Sequence, residues 1–471
     1  MLSRHILVQK IRAYLQALSP RAVDMLLRNL EASKARGETD PIVRLILEAG
    51  IELLRGEEEA VAGEPRGKWL RRLFFRPVEC LLIDEALPHK QKGRITRSSL
   101  VGIWTMIERD FVPELIEAAE RQVQDPALSE AEAASIAGHL RDAVTPDLRR
   151  FINDMLQDEK LRQRMTMVMG GERVYLDLFD VVDAFEAEAW LTPFLDSLPE
   201  KLSDWDLKSD SPAAQRVKAA TGRHAENAAL IAAAILGRAE NPAGVAALAS
   251  NLARTQDAKK IADSPYAAFV DVVLSEAERL YIVACKRPDA ESDITSALSH
   301  YHALMRGIDR DIDFSCGGKW YKRLAETRRQ FSELVSAELE AAVSHVRRAL
   351  KVPAVDADGK PLTDRISVEE AKRALGMLAL MRVAAESLAV NEVTARTRQT
   401  VEQTLEIMTR KLLADAAKCT AEEKPAHLAA VDVAIELCEG YFGKDYAGLL
   451  RRSRRAAESV QKPKSKVARG G

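Results

Sequence analysis

Cysteine is sparse: Cys80, Cys285, Cys316, Cys419 and Cys438 are the only five in a chain of 471 residues. They are odd in number, far apart and never arranged as C-x-x-C, so neither a disulfide framework nor a zinc site is signalled. Buried free thiols in a reducing compartment are the expectation. Aromatic residues make up only 5% of the chain, which leaves few rings for stacking on nucleic-acid bases. No stretch alternates Val, Ile, Tyr or Trp with polar residues over the length of a strand. The longest apolar run, AALIAAAILG at 228–237, is too short and too rich in alanine to span a bilayer. A secretory hydrophobic region is missing as well.

Catalytic motifs are equally scarce. H-E-x-x-H and G-x-S-x-G do not occur, and no Glu stands three residues before any of the eight histidines. That removes the linear signatures of zinc proteases, di-iron bundles and serine hydrolases. The most metal-like cluster is HYHALMRGIDRDIDFSCGG at 300–318. On a continuous helix His302, Asp309 and Asp313 fall near one face, and Asp309, Asp311 and Asp313 imitate the start of a calcium loop. The imitation fails at Phe314, where glycine is needed, and at Trp320, where the terminal glutamate is needed. A solvated acidic helix end accounts for it. DADGK at 356–360 fails the same test and is a turn. SCGGKW at 315–320 and MGGER at 169–173 place glycines before helices without the spacing of a phosphate loop, so both are helix connections. The sequence assigns no catalytic, metal-binding or cofactor-binding residue and implies no cofactor.

What is present is the vocabulary of helices. Ala, Leu, Glu and Arg dominate, and the hydrophobic share of 47% supplies a large core. Ser, Thr, Asp or Asn precedes proline at Ser19-Pro20, Asp40-Pro41, Asp125-Pro126, Thr145-Pro146, Thr192-Pro193, Ser211-Pro212, Asn241-Pro242 and Ser264-Pro265. Each is a helix-start signal: the side-chain oxygen caps an orphan N–H, and proline gives up a donor that was unpaired anyway. Capping boxes pair Ser129 with Glu132, Ser367 with Glu370 and Thr420 with Glu423. The starts recur at no fixed period, which excludes the common helical repeats. The expected fold is all-α, an irregular multi-helix array or bundle with long helices and no sheet.

Composition shifts divide the chain into an N-terminal helical hairpin at 1–62, a basic aromatic segment at 63–97, a central multi-helix body at 98–350, a linker at 351–366, a three-helix region at 367–450 and a basic disordered tail at 451–471. Charge follows these divisions. Residues 66–109 hold ten Lys or Arg against four acids, and 451–471 hold eight against Glu458 alone. The whole chain carries −2, so the remainder is strongly acidic. In KWLRRLFFRP at 68–77, Trp69, Leu70, Leu73 and Phe74 share a helix face opposite Arg71, Arg72 and Arg76, and Phe75 lies among the arginines. Gly67 and Pro77 keep this helix too short to stand alone, so it must dock on a core, with Trp69 part of it.

The basic loop PHKQKGRITR at 88–97 invites phosphate or carboxylate. These features suggest a non-enzymatic scaffold or adaptor that contacts an anionic protein or membrane surface. The contact residues would be Lys90, Lys92, Arg94 and Arg97 of the loop, Arg71 and Arg72 of the helix before it, and Arg451, Arg452, Arg454 and Arg455 of the tail. A nucleic-acid-binding protein is the alternative, weakened by the acidic body and the lack of a reading motif. An enzyme with a site assembled between helices leaves no linear trace and stays open. The cysteine usage and the excess of Arg over Lys point to a bacterial cytoplasm. The start of the chain, without an acid before Asp24, offers the mitochondrial matrix as the alternative.

Overall fold

The computed structural model describes residues 66–125, 128–286, 294–315, 317–356, 360–384, 388 and 390–459. The expected hairpin at 1–62, the first two Ser/Asp-Pro pairs, Cys316 and residues 460–471 lie outside the described residues. The fold is all-α, with seventeen α-helices among the described residues and one pair of two-residue strands. By contacts the chain forms two compact units. The first comprises 1–77 and 100–170, and the second comprises 78–99 and 171–471.

In the first unit, α1 (Arg66–Phe74), α2 (Ser99–Met106), α3 (Pro113–Val123), α4 (Glu130–Gln157) and α5 (Glu159–Met169) follow one another, with a π-turn at Ile107–Phe111 after α2. The short basic helix does dock: α1 packs on α3 and α4. Leu70, Leu73, Phe74 and Phe75 are buried, while Trp69 is only half-buried. Phe75 takes the core place that the helical face had given to Trp69. Its ring meets Phe74 edge-on at 5.0 Å and Trp104 at 6.1 Å. The end of α1 is held by the buried Arg141 of α4, whose guanidinium donates to the carbonyls of Leu73 at 2.9 Å and Phe74 at 3.2 Å. A cation there satisfies orphan carbonyls and opposes the negative end of the helix dipole.

The cap signals succeed where the chain needs a turn. Ser129 and Glu132 form a reciprocal capping box at the start of α4. Pro146 and Pro193, expected at helix starts, instead lie inside α4 and inside α6 (Glu172–Asp196). Thr145 turns its hydroxyl back to the Arg141 carbonyl at 2.8 Å rather than capping. An interior proline costs about 3 kcal/mol. The stripe that continues through it (Leu140, Val144, Leu148 and Ile152) is buried, and each such side chain contributes roughly 1.5–3 kcal/mol. Packing outweighs the local signal.

The second unit opens with β1 (Leu82–Ile83) and β2 (Ile95–Thr96), paired in parallel with Leu82 opposite Ile95. Among the described residues this is the one paired sheet, beside three isolated bridges, where none was expected: the apolar run at 78–83 is anchored by two residues of the loop that follows it. After α6 come α7 (Pro212–Arg223), α8 (Ala228–Arg238), α9 (Pro242–Ala253), α10 (Ala258–Ala262) and α11 (Ala267–Cys285). Ser211 and Asn241 cap α7 and α9 as expected, accepting from Ala214 N at 3.0 Å and Ala243 N at 3.1 Å. The alanine-rich run is α8, buried from Ala228 to Leu236. A helix apolar on every side needs neighbours on every side. No helix among the described residues is long and apolar enough to cross a membrane.

α12 (Ile294–Asp311) and the 31-residue α13 (Lys319–Ala349) complete this part. α11 packs against α8, α9, α12 and α13. Between α12 and α13 the rings of Tyr301 and Phe331 stack at 3.9 Å. Past the linker lie α14 (Arg365–Ala384), α15 (Asn391–Lys418), α16 (Lys424–Phe442) and α17 (Lys444–Ser459). The C-terminal region thus holds a fourth helix, which starts after Gly443 (φ 95°) and carries Arg451, Arg452, Arg454 and Arg455. α14 starts ahead of Ser367 because Asp364 accepts from Ser367 N at 3.2 Å. Glu370, the expected box partner, faces α13 instead. The linker forms one antiparallel bridge, Val355 to Pro361, and α14 packs on both α12 and α13.

α9 and α12 approach closely at Gly307, where a Cβ would overlap that of Ala243. Gly307→Ala should therefore cost about 1–3 kcal/mol by overpacking, seen as a lower urea midpoint. Adding Ala243→Gly should recover most of that loss. No recovery in the double variant would mean that the two helices do not meet there.

Candidate functional site

The loop KQKGRITR folds around its own cations. Gly93 adopts φ +84°, and a Cβ there would overlap the carbonyl oxygen of Ala229 on α8, so only glycine lets the loop lie against that helix. This places Lys90 Nζ 2.5 Å from Asp177 and 2.6 Å from Asp180, both on α6. Asp177 is 0% exposed and Asp180 is 2% exposed. The backbone N–H of Gly93 donates to Asp180 at 2.8 Å. Asp177 also accepts from Thr96 N at 3.0 Å and from the Ser99 hydroxyl at 2.7 Å. Burial pushes the Asp180 carboxyl above the usual aspartate value, opposed by Lys90 and the Gly93 N–H.

A second cluster adjoins the first along the loop. Arg94, buried, meets Glu276 of α11 at 2.6 Å. Arg279 bridges Glu276 at 2.7 Å and Glu85 at 3.0 Å, and Lys286 reaches Glu85 at 3.1 Å. Burial would raise Glu276, but the hydrogen bond from Arg279 and the charges of Arg94 and Arg279 hold it below its usual value. Burial likewise lowers Arg94, opposed by Glu276. On α13, Arg323 pairs with Glu278 and donates to Gln91 of the loop at 3.1 Å. The Trp320 indole donates to Asp271 at 2.8 Å. Both Asp177 oxygens, the Glu276 carboxylate and the Arg279 fork are engaged by the chain itself, as in an internal clamp.

Lys90 and Arg94, expected to face a partner, are thus internal ion-pair partners. The physical reason is the set of buried acids on α6 and α11, whose desolvation calls for internal cations. Lys92 and Arg97 are exposed, and each sits near an acid of its own chain, Asp183 at 3.2 Å and Asp84 at 2.8 Å. Arg72 is exposed and Arg71 half-buried in the first unit. Arg451 pairs with Glu439, and Arg454 pairs with Asp432 at 2.6 Å and Glu458 at 2.7 Å. Arg452 and Arg455 are exposed and form no ion pair with a described residue. Arg410, Lys411 and Lys418 on α15 and Lys444 at the start of α17 share that condition. Sequence reading missed these α15 cations because they are mixed with Glu406 and Asp415. Their three- and four-residue spacing was the available signal.

One further cluster has chemical groups in reach of one another. His345 Nδ1 lies 3.1 Å from Glu370, and Arg348 donates to the same carboxylate at 3.0 Å. His345 and Glu370 border a cleft of about 600 Å³ lined also by Cys285, Glu338 and Arg373. Cys285 shares a hydrogen bond with Tyr281, which pushes the phenol up to about 12. Lys286 and Ile294 also line the cleft. Asp309 faces Arg328 at 3.5 Å, Asp311 pairs with Arg310 at 2.8 Å, and Asp313 accepts from Ser315 N at 2.8 Å. Those aspartates are engaged by their neighbours. Among the described residues no group of three or more His, Cys, Asp or Glu is placed to hold a metal ion.

Lys90→Met should cost about 3–5 kcal/mol, because it strands two buried carboxylates, whereas Lys92→Met should stay within about 1 kcal/mol. Chemical denaturation of both variants decides; equal small effects would mean that the clamp carries no weight. Glu276 adds a pH dependence. Its folded value is depressed, so its contribution is complete above the ordinary glutamate value of 4.5 and lost as pH falls through the folded value. The unfolding midpoint of Glu276→Gln should accordingly vary less than that of the parent below that pH. No family model, curated protein or solved structure matches the chain.

Proposed function

We propose that the chain is a non-enzymatic helical scaffold or adaptor that contacts an anionic protein partner through the outer face of α15 and α17. The single observation behind this reading is the division of positive charge. The cations of the 88–97 loop face acids of their own chain, whereas Arg410, Lys411, Lys418, Lys444, Arg452 and Arg455 are exposed and form no ion pair with a described residue. The sequence then adds Lys462, Lys464, Lys466 and Arg469 beyond α17. Exposed cations close together attract a polyanion far more strongly than they stabilise a fold. The few, scattered cysteines suit a reducing compartment, and a bacterial cytoplasm is the setting proposed.

Poly-L-glutamate serves as a probe of this face. The full chain should bind it with an affinity that falls as salt rises. Reversing Arg410, Lys411, Arg452 and Arg455 to Glu should weaken binding at least tenfold, about 1.4 kcal/mol, with an unchanged circular dichroism melt. Unaltered binding in that variant would remove the proposed site.

A further inference from the structure

The two cationic helices lie side by side and run in the same direction. Glu402 of α15 meets Tyr441 at 3.2 Å and Thr409 meets Cys438 at 3.9 Å, so α15 is antiparallel to α16. Glu439 meets Arg451 and Asp432 meets Arg454, so α16 is antiparallel to α17. α17 also packs on α15, where Tyr446 feels the charges of Glu406 and Arg410. Parallel neighbours of this kind stand about 8–10 Å apart.

Their outward faces are not purely charged. Ile407 is 64% exposed on α15 and Leu449 is 55% exposed on α17. Tyr446 marks the level of 406–410, so Leu449 stands within about one helical turn of Ile407 along the axis. Ile407, Arg410, Lys411, Ala414 and Lys418 recur three or four residues apart and are all exposed. Leu449, Arg452, Ala456 and Ser459 do the same on α17, beside Arg455. The acids on this surface are Glu406, the half-buried Asp415, Asp445 and Glu458, fewer than its cations, and Glu458 is engaged by Arg454.

Resting on the adaptor reading above, we infer that the furrow between α15 and α17 docks an acidic amphipathic helix of the partner. Its apolar side chains lie over Ile407 and Leu449, and its carboxylates lie against Arg410, Lys411, Lys418, Arg452 and Arg455. Charge complementarity selects an acidic occupant, and the apolar pair flanked by cations selects one with an apolar stripe. An extended polyanion gains nothing from Ile407 and Leu449. A single-stranded nucleic acid would want exposed stacking rings, and Tyr446 between these helices is only partly exposed. Two aliphatic side chains are too little apolar surface for stable insertion into a bilayer.

The test titrates the full chain with four probes: a helical Glu/Leu peptide of about 20 residues with one leucine stripe, non-helical poly-L-glutamate of equal charge, phosphatidylserine vesicles and duplex DNA. The expected result is that the helical peptide binds at least tenfold more tightly than poly-L-glutamate. Ile407→Ser with Leu449→Ser should erase that margin and leave poly-L-glutamate binding unchanged. Equal binding of the two acidic peptides overturns the helix-docking inference while the adaptor reading stands. Tighter binding of vesicles or DNA overturns both in favour of that occupant. Failure of all four probes overturns both outright.

Discussion

The ammonium group of Lys90 is held between two carboxylates that have almost no access to water, and the first part of the second unit is arranged around it. Asp177 and Asp180 are one helical turn apart on α6, so a single cation can reach both. Burying two acids costs several kcal/mol each unless charge and hydrogen bonds replace water. The loop supplies both. It brings Lys90, the N–H groups of Gly93 and Thr96 and the Ser99 hydroxyl to the two carboxylates. The close approach of Gly93 to α8, the short parallel strand pair and the meeting of Arg94 with α11 all follow from where this loop must lie.

That constraint explains why the basic stretch at 66–109 offers less free positive charge than its sequence suggests. Charge counted along the chain places an excess at 66–109, but charge counted in space subtracts Asp177, Asp180, Asp183 and Glu276 from it. The C-terminal helices reverse the comparison. Folding directs Arg451 and Arg454 to the acids of α16 and leaves Arg410, Lys411, Lys418, Arg452 and Arg455 exposed. Pairing therefore sorts the cations residue by residue: on α17 alone, Arg451 and Arg454 are engaged while Arg452 and Arg455 are exposed.

The fold class was fully legible, because helix formers, caps and the absence of alternation all point the same way. Ser129, Ser211 and Asn241 capped where expected. Pro146 and Pro193 did not start helices, because a buried stripe on either side outweighs one lost hydrogen bond. The loop was misjudged for a related reason. DLFDVVDAF and VLSEAERL carry acids flanked by Val, Leu and Phe, and that flanking was the trace of burial. A linear reading sees ordinary helix-face charges there. Which cation each acid meets depends on partners about 80 to 180 residues away in sequence, and no local pattern encodes them.

The most direct measurement is lysine reactivity in the folded chain. A brief treatment with an amine-reactive reagent, read residue by residue by mass spectrometry, compares Lys90 with Lys411, Lys418 and Lys444. The account predicts that Lys90 is strongly protected, since its ammonium is enclosed by Asp177 and Asp180, while the other three are modified rapidly. Modification of Lys90 at the same rate as the three exposed lysines would contradict it.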